Sequence, residues 1–147
     1  MADDNTVDTL NSFLRGEISA VETYHQAIEK LGNNPEGDTL RECLRSHERR
    51  VSLLHVEIQR RGGKPAQGSG SWGAFAKLLE GGAKLFGAKA AIAALEEGED
   101  HGRDDYKRDA AKLGPDARAF VQQQLLPEQL RTHQAMSTLK KRLEAAA

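Results

Sequence analysis

The chain has 147 residues, a formal net charge of −1 and an apolar share of 38%. Its length suits one domain with its own core. Its balanced charge argues against a protein that holds nucleic acid or anionic lipid through a general positive field. One cysteine, Cys43, excludes an internal disulfide or a CxxC site. Short apolar runs and an acidic start, without the order of a signal peptide, predict a cytoplasmic protein that binds neither nucleic acid nor membrane.

The hydrophobic pattern has a helical period, and four long helices are predicted over residues 6–31, 38–61, 88–113 and 115–144. Asp38 is the expected N-cap of the second helix, and Gly62-Gly63 should close it. The fourth helix begins with Pro115 at its first position. Pro127 lies inside that helix and should kink or restart it, because proline lacks the backbone N–H that a helix needs.

Glycine is concentrated between the second and third helices, where eight of the fourteen glycines fall within residues 62–87. This composition predicts a long connection, in which residues 72–79 form a short helix that Gly81-Gly82 stop. We therefore predict one domain over 1–147, with a helical hairpin 6–61, a crossover 62–87 and a second hairpin 88–144. The fold class is all-α, a ferritin-like antiparallel four-helix bundle whose crossover contains a short helix. A plain up-down bundle is the alternative that the loop lengths leave open.

The two halves of the chain repeat each other. A shift of 82 residues places Gly16-Glu17 on Gly98-Glu99 and Tyr24 on Tyr106. A shift of 86 residues places the segment 44–47 (Leu-Arg-Ser-His) on the segment 130–133 (Leu-Arg-Thr-His). Because polar residues match as well as apolar ones, the pattern indicates a two-fold repeat of a helical hairpin.

Four of the repeated polar residues are predicted to meet at mid-height of the bundle: Glu17, His47, Glu99 and His133. Each lies on or near the apolar stripe of its helix and close to the helix midpoint. A buried carboxylate needs a partner or a cation, and carboxylate with imidazole suits a divalent metal. We predict a metal site with these four ligands. Iron is the expected metal, and manganese or zinc are the alternatives. Two Glu–His hydrogen-bonded pairs without metal are the competing interpretation.

The same residues carry a family resemblance. The chain resembles the ferritin-like superfamily and, more narrowly, the bacterial family of unknown function DUF2383. The matching features are Gly16-Glu17 with Tyr24, the crossover residues Gly62-Gly63-Lys64-Pro65, Gly68-Ser69 and Gly73-Ala74, Gly98-Glu99-Asp100 with Tyr106, and Gln129 four residues before His133. The resemblance implies a ferritin-like bundle with a di-metal carboxylate site, and the family name supplies no reaction.

The chain departs from the ferritin pattern at two positions. A di-iron site of the ferritin type has Glu three residues before each His. This chain has Leu44 three residues before His47 and Leu130 three residues before His133. The remaining ligands suit a single metal or an incomplete pair. We expect a ferritin-like metal-binding protein, and, if it is an enzyme, one that oxidises Fe(II) or reduces O2 or peroxide. The alternative is a non-enzymatic stress-associated or partner-binding bundle with a degenerate or structural metal site. A homodimer would cover leftover apolar helix surface.

Overall fold

The structure is a computed structural model that describes residues 4–70 and 73–146, with side chains at 5–70 and 87–146. It is all-α, and these ranges contain no strand. The helices are α1 (Asp4–Leu31), α2 (Gly37–Arg60), α3 (Gly73–Ala110), α4 (Pro115–Phe120) and α5 (Leu126–Ala146), and a π-helical turn, Val121–Leu125, joins α4 to α5. Helix α1 packs on α2 and α3, and α3 packs on α5, so the helices form a bundle.

The start of α2 differs from the prediction that Asp38 caps it. Glu36 holds the N-cap position without a side-chain cap bond, and Asp38 lies in the first turn, where it pairs with Arg41 at 3.1 Å. Arg41 also donates to the carbonyl of Gly32 at 3.2 Å. The arginine therefore fastens the α1–α2 connection, and the carboxylate of Asp38 is used as its ion-pair partner.

The prediction that Gly81-Gly82 stop a short crossover helix is wrong. The backbone stays helical from Gly73 through both glycines and breaks at Gly87, where φ is 77° and ψ is −158°. Glycine lowers helix propensity, but a helix ends only where the backbone leaves helical angles. The break comes just before Ala88, where the third helix was expected to begin. Trp72, the expected start of the short helix, lies outside the described residues.

Pro127 restarts the last helix as predicted. The turn before it is π-helical, and the N–H of Leu126 donates to the carbonyl of Val121. A π turn holds one residue more than an α turn, which rotates the following helix by about 100°. As a result α5 buries Gln129, Thr132, Met136 and Leu139, whereas Leu130, which the repeat matches to the buried Leu44, is 41% exposed.

Two hydrophobic clusters build the core. One contains Leu10, Leu14, Leu54 and Ile58 with residues from 106–125, and the other contains Tyr24, Leu40, Ile92 and Met136 with their neighbours. Along each of α1, α2, α3 and α5, the segment between the two clusters carries polar residues. The bundle therefore has a polar layer with an apolar cluster on either side.

Candidate functional site

Two glutamates, a histidine and an arginine occupy the polar layer. Glu17 is 4% exposed, His47 2%, Arg50 0% and Glu99 3%. Charges buried to this degree are costly unless each is paired and hydrogen-bonded. The contacts in the layer therefore decide what the site can do.

His47 bridges the two glutamates. Its Nδ1 lies 2.5 Å from Oε1 of Glu17, and its Nε2 lies 2.7 Å from Oε2 of Glu99. A ring nitrogen donates only if it carries a proton, and both nitrogens carry one only in imidazolium. Burial lowers the pKa of His47, but the carboxylates of Glu99 and Glu17 outweigh it and raise the pKa above the ordinary value. His47 is thus held as a cation between two anions.

Arg50, which the sequence reasoning missed, supplies the second buried cation. Its Nη1 lies 3.1 Å from Oε2 of Glu17 and also donates to Oε1 of Gln129. Its Nη2 donates to Oγ1 of Thr132 at 3.1 Å. Burial raises the pKa of Glu17, but Arg50 and then His47 reverse the effect and lower that pKa to about 2. The signal in the sequence was the position of Arg50, one helical turn after His47 on the core side of α2.

Two tyrosines complete the layer in a reciprocal pattern across α1 and α3. Tyr24 of α1 donates to Oε2 of Glu99 at 2.5 Å, and Tyr106 of α3 donates to Oε2 of Glu17 at 2.5 Å. Burial, and next the glutamate beside each hydroxyl, raise the pKa of both tyrosines well above the ordinary value, so both stay protonated donors. The pattern obeys the repeat of 82 residues, because each member of one pair maps onto a member of the other.

The remaining oxygen of Glu99 is also occupied. Oε1 accepts from Oγ1 of Thr132 at 2.7 Å and from Nε2 of Gln129 at 2.9 Å. Every carboxylate oxygen in the layer therefore has a partner. Two carboxylates balance one guanidinium and one imidazolium, so the layer is electrically neutral.

This arrangement does not fit a single metal shared by Glu17, His47 and Glu99. The two carboxylates approach opposite ring nitrogens of His47, so a metal bound at either nitrogen would meet only one of them. The guanidinium of Arg50 lies against Glu17 where a cation would otherwise go. The structure thus brings three of the four predicted ligands together, in a layer whose charge is balanced by protein groups.

The fourth predicted ligand, His133, lies in a different group. Its Nε2 is 2.5 Å from Oδ1 of Asp100 and 3.3 Å from Nη1 of Arg103. Glu96, Asp100 and His133 each offer a ligand atom, and these atoms lie within 4.8 Å of one another on the half-buried contact of α3 and α5. The rotation of α5 that exposes Leu130 also takes His133 to this group. Glu96 and Asp100, four residues apart on α3, are the sequence signal that was missed.

A cavity of about 60 Å³ reaches the polar layer between α1 and α3. Glu17, Glu99, His47 and both tyrosines are among the residues that line it. The cavity stays open because the residues that face it from both helices are small: Gly16 and Ala20 from α1 and Gly98 and Gly102 from α3. These small residues also correspond in the repeat of 82 residues. The two halves of the chain together therefore keep a gap open beside the carboxylates.

Cys43 is buried on α2 near Tyr24. Burial, and next the carboxylate of Glu99, raise the pKa of its thiol to about 12. The thiol therefore stays protonated at neutral pH and is a poor nucleophile.

The family model of a domain of unknown function, DUF2383, matches residues 5–112. The chain belongs to the DUF2383 family. Glu17, His47, Arg50 and Glu99 fall inside the matched range, whereas His133 lies beyond it. No curated protein and no solved structure matches the chain, so the ferritin-like relationship stays a prediction. No helix in the described part of the chain is long and apolar enough to cross a membrane.

Proposed function

We propose that this DUF2383 protein is a divalent-metal-binding helical bundle whose metal is held by Glu96, Asp100 and His133. The observation that supports this most is the convergence of three ligand atoms from two helices within 4.8 Å. The group is half-buried, so a hydrated ion can reach it from solvent.

The donor set favours a transition metal. Two carboxylates and one imidazole suit Fe(II), Mn(II) or Zn(II), and three protein ligands leave coordination positions for water or a substrate. Iron is the first metal to test, with oxidation of Fe(II) or reduction of O2 or peroxide as the activity to assay. Arg103 lies 3.6 Å from Asp100, and Lys140 lies 3.7 Å from Glu96. These two cations compete with the metal and would turn to solvent when it binds.

A ferritin-like arrangement of the helices is part of the proposal. A helix that runs from its N-terminus to its C-terminus meets the two apolar clusters in a fixed order. In α1 and α5 the cluster with Leu54 and Ile58 comes first and the cluster with Leu40 second, whereas in α2 and α3 the order is reversed. That order supports an up-down-down-up bundle with two antiparallel hairpins. The segment between α2 and the break at Gly87 would then be the long crossover of a single domain.

A second candidate function is a non-enzymatic bundle, stress-associated or partner-binding, whose mid-bundle site serves stability alone. The neutral, fully paired layer of Glu17, His47, Arg50 and Glu99 favours it. The sequence-predicted ligand set of Glu17, His47, Glu99 and His133 requires Arg50 and the two Glu–His contacts to rearrange. We retain metal binding by this ligand set as an outcome that the following experiment detects.

Calorimetric titration with Mn(II), Zn(II) and, without oxygen, Fe(II) tests the proposal. The wild-type chain should bind about one equivalent, and Asp100→Asn/His133→Ala should bind none. Asp104→Asn/His101→Ala is the matched control, because it removes the same two residue types at exposed positions of α3, and it should bind like wild type. Retention of the metal in Asp100→Asn/His133→Ala, with loss in Glu17→Gln, would place the metal in the core. No binding by the folded wild-type chain would leave the non-enzymatic candidate.

A further inference from the structure

We propose that Arg50 is a built-in cation that occupies the metal position of the polar layer and keeps the core closed to divalent metals. The inference concerns the core, and it stands whether or not Glu96, Asp100 and His133 bind a metal.

The contacts of Arg50 are those that a metal would make. Its side chain is fully buried, and four oxygen atoms surround its two terminal nitrogens. Nη1 contacts Oε2 of Glu17 and Oε1 of Gln129. Nη2 contacts Oγ1 of Thr132 at 3.1 Å and Oγ of Ser46 at 3.2 Å. A carboxylate, an amide oxygen and two hydroxyls converge there on a positive charge that belongs to the chain itself.

The repeat shows that this cation is specific to one half of the chain. The shift of 86 residues that places His47 on His133 places Arg50 on Met136. Met136 is also fully buried, in the apolar cluster. The first half therefore supplies both cations of the layer, and the second half supplies the neutral Gln129 and Thr132. Without Arg50 the layer would keep two carboxylates and one imidazolium, a net negative charge on side chains that are almost fully buried.

Arg50→Met introduces the residue that the second half carries at the equivalent position. It leaves Oε2 of Glu17 with Tyr106 alone and empties the space in front of Gln129 and Thr132. Glu17 and Glu99 line the cavity between α1 and α3, so an ion from solvent can reach the vacated position through it. A divalent cation should then replace the guanidinium, since carboxylate and amide oxygens suit Mn(II) and carboxylate oxygens also bind Zn(II).

The test uses the full chain with Asp100→Asn/His133→Ala, so that the outer group cannot contribute. In this background, 1 mM Zn(II) or Mn(II) should leave the melting temperature unchanged while Arg50 is present. After Arg50→Met, the same ions should raise it by about 5 °C or more and bind at about one equivalent. Arg50→Lys, which keeps a cation, should show no such gain.

A charge-balanced variant keeps the inference falsifiable if Arg50→Met is poorly folded. Glu17→Gln/Arg50→Met removes one negative and one positive charge, so it should melt above Arg50→Met alone and should not respond to metal. Two results would overturn the inference. One is an Arg50→Met variant that neither Zn(II) nor Mn(II) binds or stabilises, whether or not the variant is folded without metal. The other is a Glu17→Gln/Arg50→Met variant that melts below Arg50→Met.

Discussion

Nη2 of Arg50 lies 3.2 Å from Nε2 of His47, one helical turn away on α2, so two cationic groups touch inside the protein. Like charges at this distance repel, and the contact persists because Glu17 lies against both groups and Glu99 lies against His47. The two glutamates come from α1 and α3. The charge layer therefore ties α2 to both of the other helices, and loss of any one member leaves the others unbalanced.

Neutralising Glu17 should be strongly destabilising. Glu17→Gln keeps the size of the side chain but leaves Arg50 and His47 facing only one carboxylate. Breaking a buried ion pair in this way costs about 3–5 kcal/mol of unfolding free energy. Urea denaturation at pH 6 measures it. Glu22→Gln, at an exposed position of α1, is the control and should change the free energy by less than about 0.5 kcal/mol. A Glu17→Gln effect equal to the control's would refute the ion-pair account.

The two tyrosines should contribute similar amounts to stability. Tyr24→Phe and Tyr106→Phe each keep the ring and remove one hydroxyl that donates to a buried carboxylate. Each substitution should cost about 1–3 kcal/mol, the range for leaving a buried acceptor short of a partner. Chemical denaturation of both variants tests the reciprocal pattern. A clear loss in one variant with none in the other would show that only one of the two hydrogen bonds stabilises the fold.

Stability should be greatest between pH 4.5 and pH 6.5. The pKa of Glu17 falls from 4.5 to about 2 on folding, so its contribution is complete above pH 4.5 and is lost as the pH falls toward 2. The pKa of His47 is raised from 6.5, so its contribution is complete below pH 6.5 and is lost as the pH rises through the folded value. Melting temperatures from pH 2 to pH 9 should therefore fall on both sides of the window. A Glu17→Gln variant that kept the full acid decline would contradict the assignment of Glu17.

The helix break at Gly87 should require glycine. Its φ of 77° and ψ of −158° lie in a region that residues with a side chain avoid, so Gly87→Ala should cost about 1–3 kcal/mol. Among the described residues, a Cβ at Gly87 would meet no neighbour within 4 Å, and neither would one at Gly68, whose φ is not positive. Gly68→Ala is therefore the matched control and should be close to neutral. Equal effects of the two substitutions in thermal denaturation would show that the backbone angle at Gly87 does not matter.

The parts of the fold that depend on local sequence could be predicted. Hydrophobic periodicity placed the long helices within a few residues, and Pro127 correctly marked a restart. The repeat identified Glu17 and Glu99, and their buried positions follow from the stripes of α1 and α3. Which of several glycines breaks a helix could not be read from the chain, because the break depends on backbone angles rather than on composition.

The site could be predicted only in part because its charges come from packing. Arg50 was not among the predicted site residues, because burial of an arginine depends on partners that other helices supply. His133 matched His47 in sequence, but the π turn before Pro127 rotates α5 and takes its side chain to Asp100 and Glu96. A repeat predicts equivalent positions along two helices, and a one-residue insertion in a helical turn changes which side of the helix those positions face.

Anomalous X-ray scattering from crystals grown with Mn(II) or Zn(II) tests the central claim most directly, because it locates the ion. The account predicts one peak between the side chains of Glu96, Asp100 and His133, with Arg50 still in contact with Glu17. A peak beside Glu17 and Glu99, with the Arg50 side chain displaced, would contradict it.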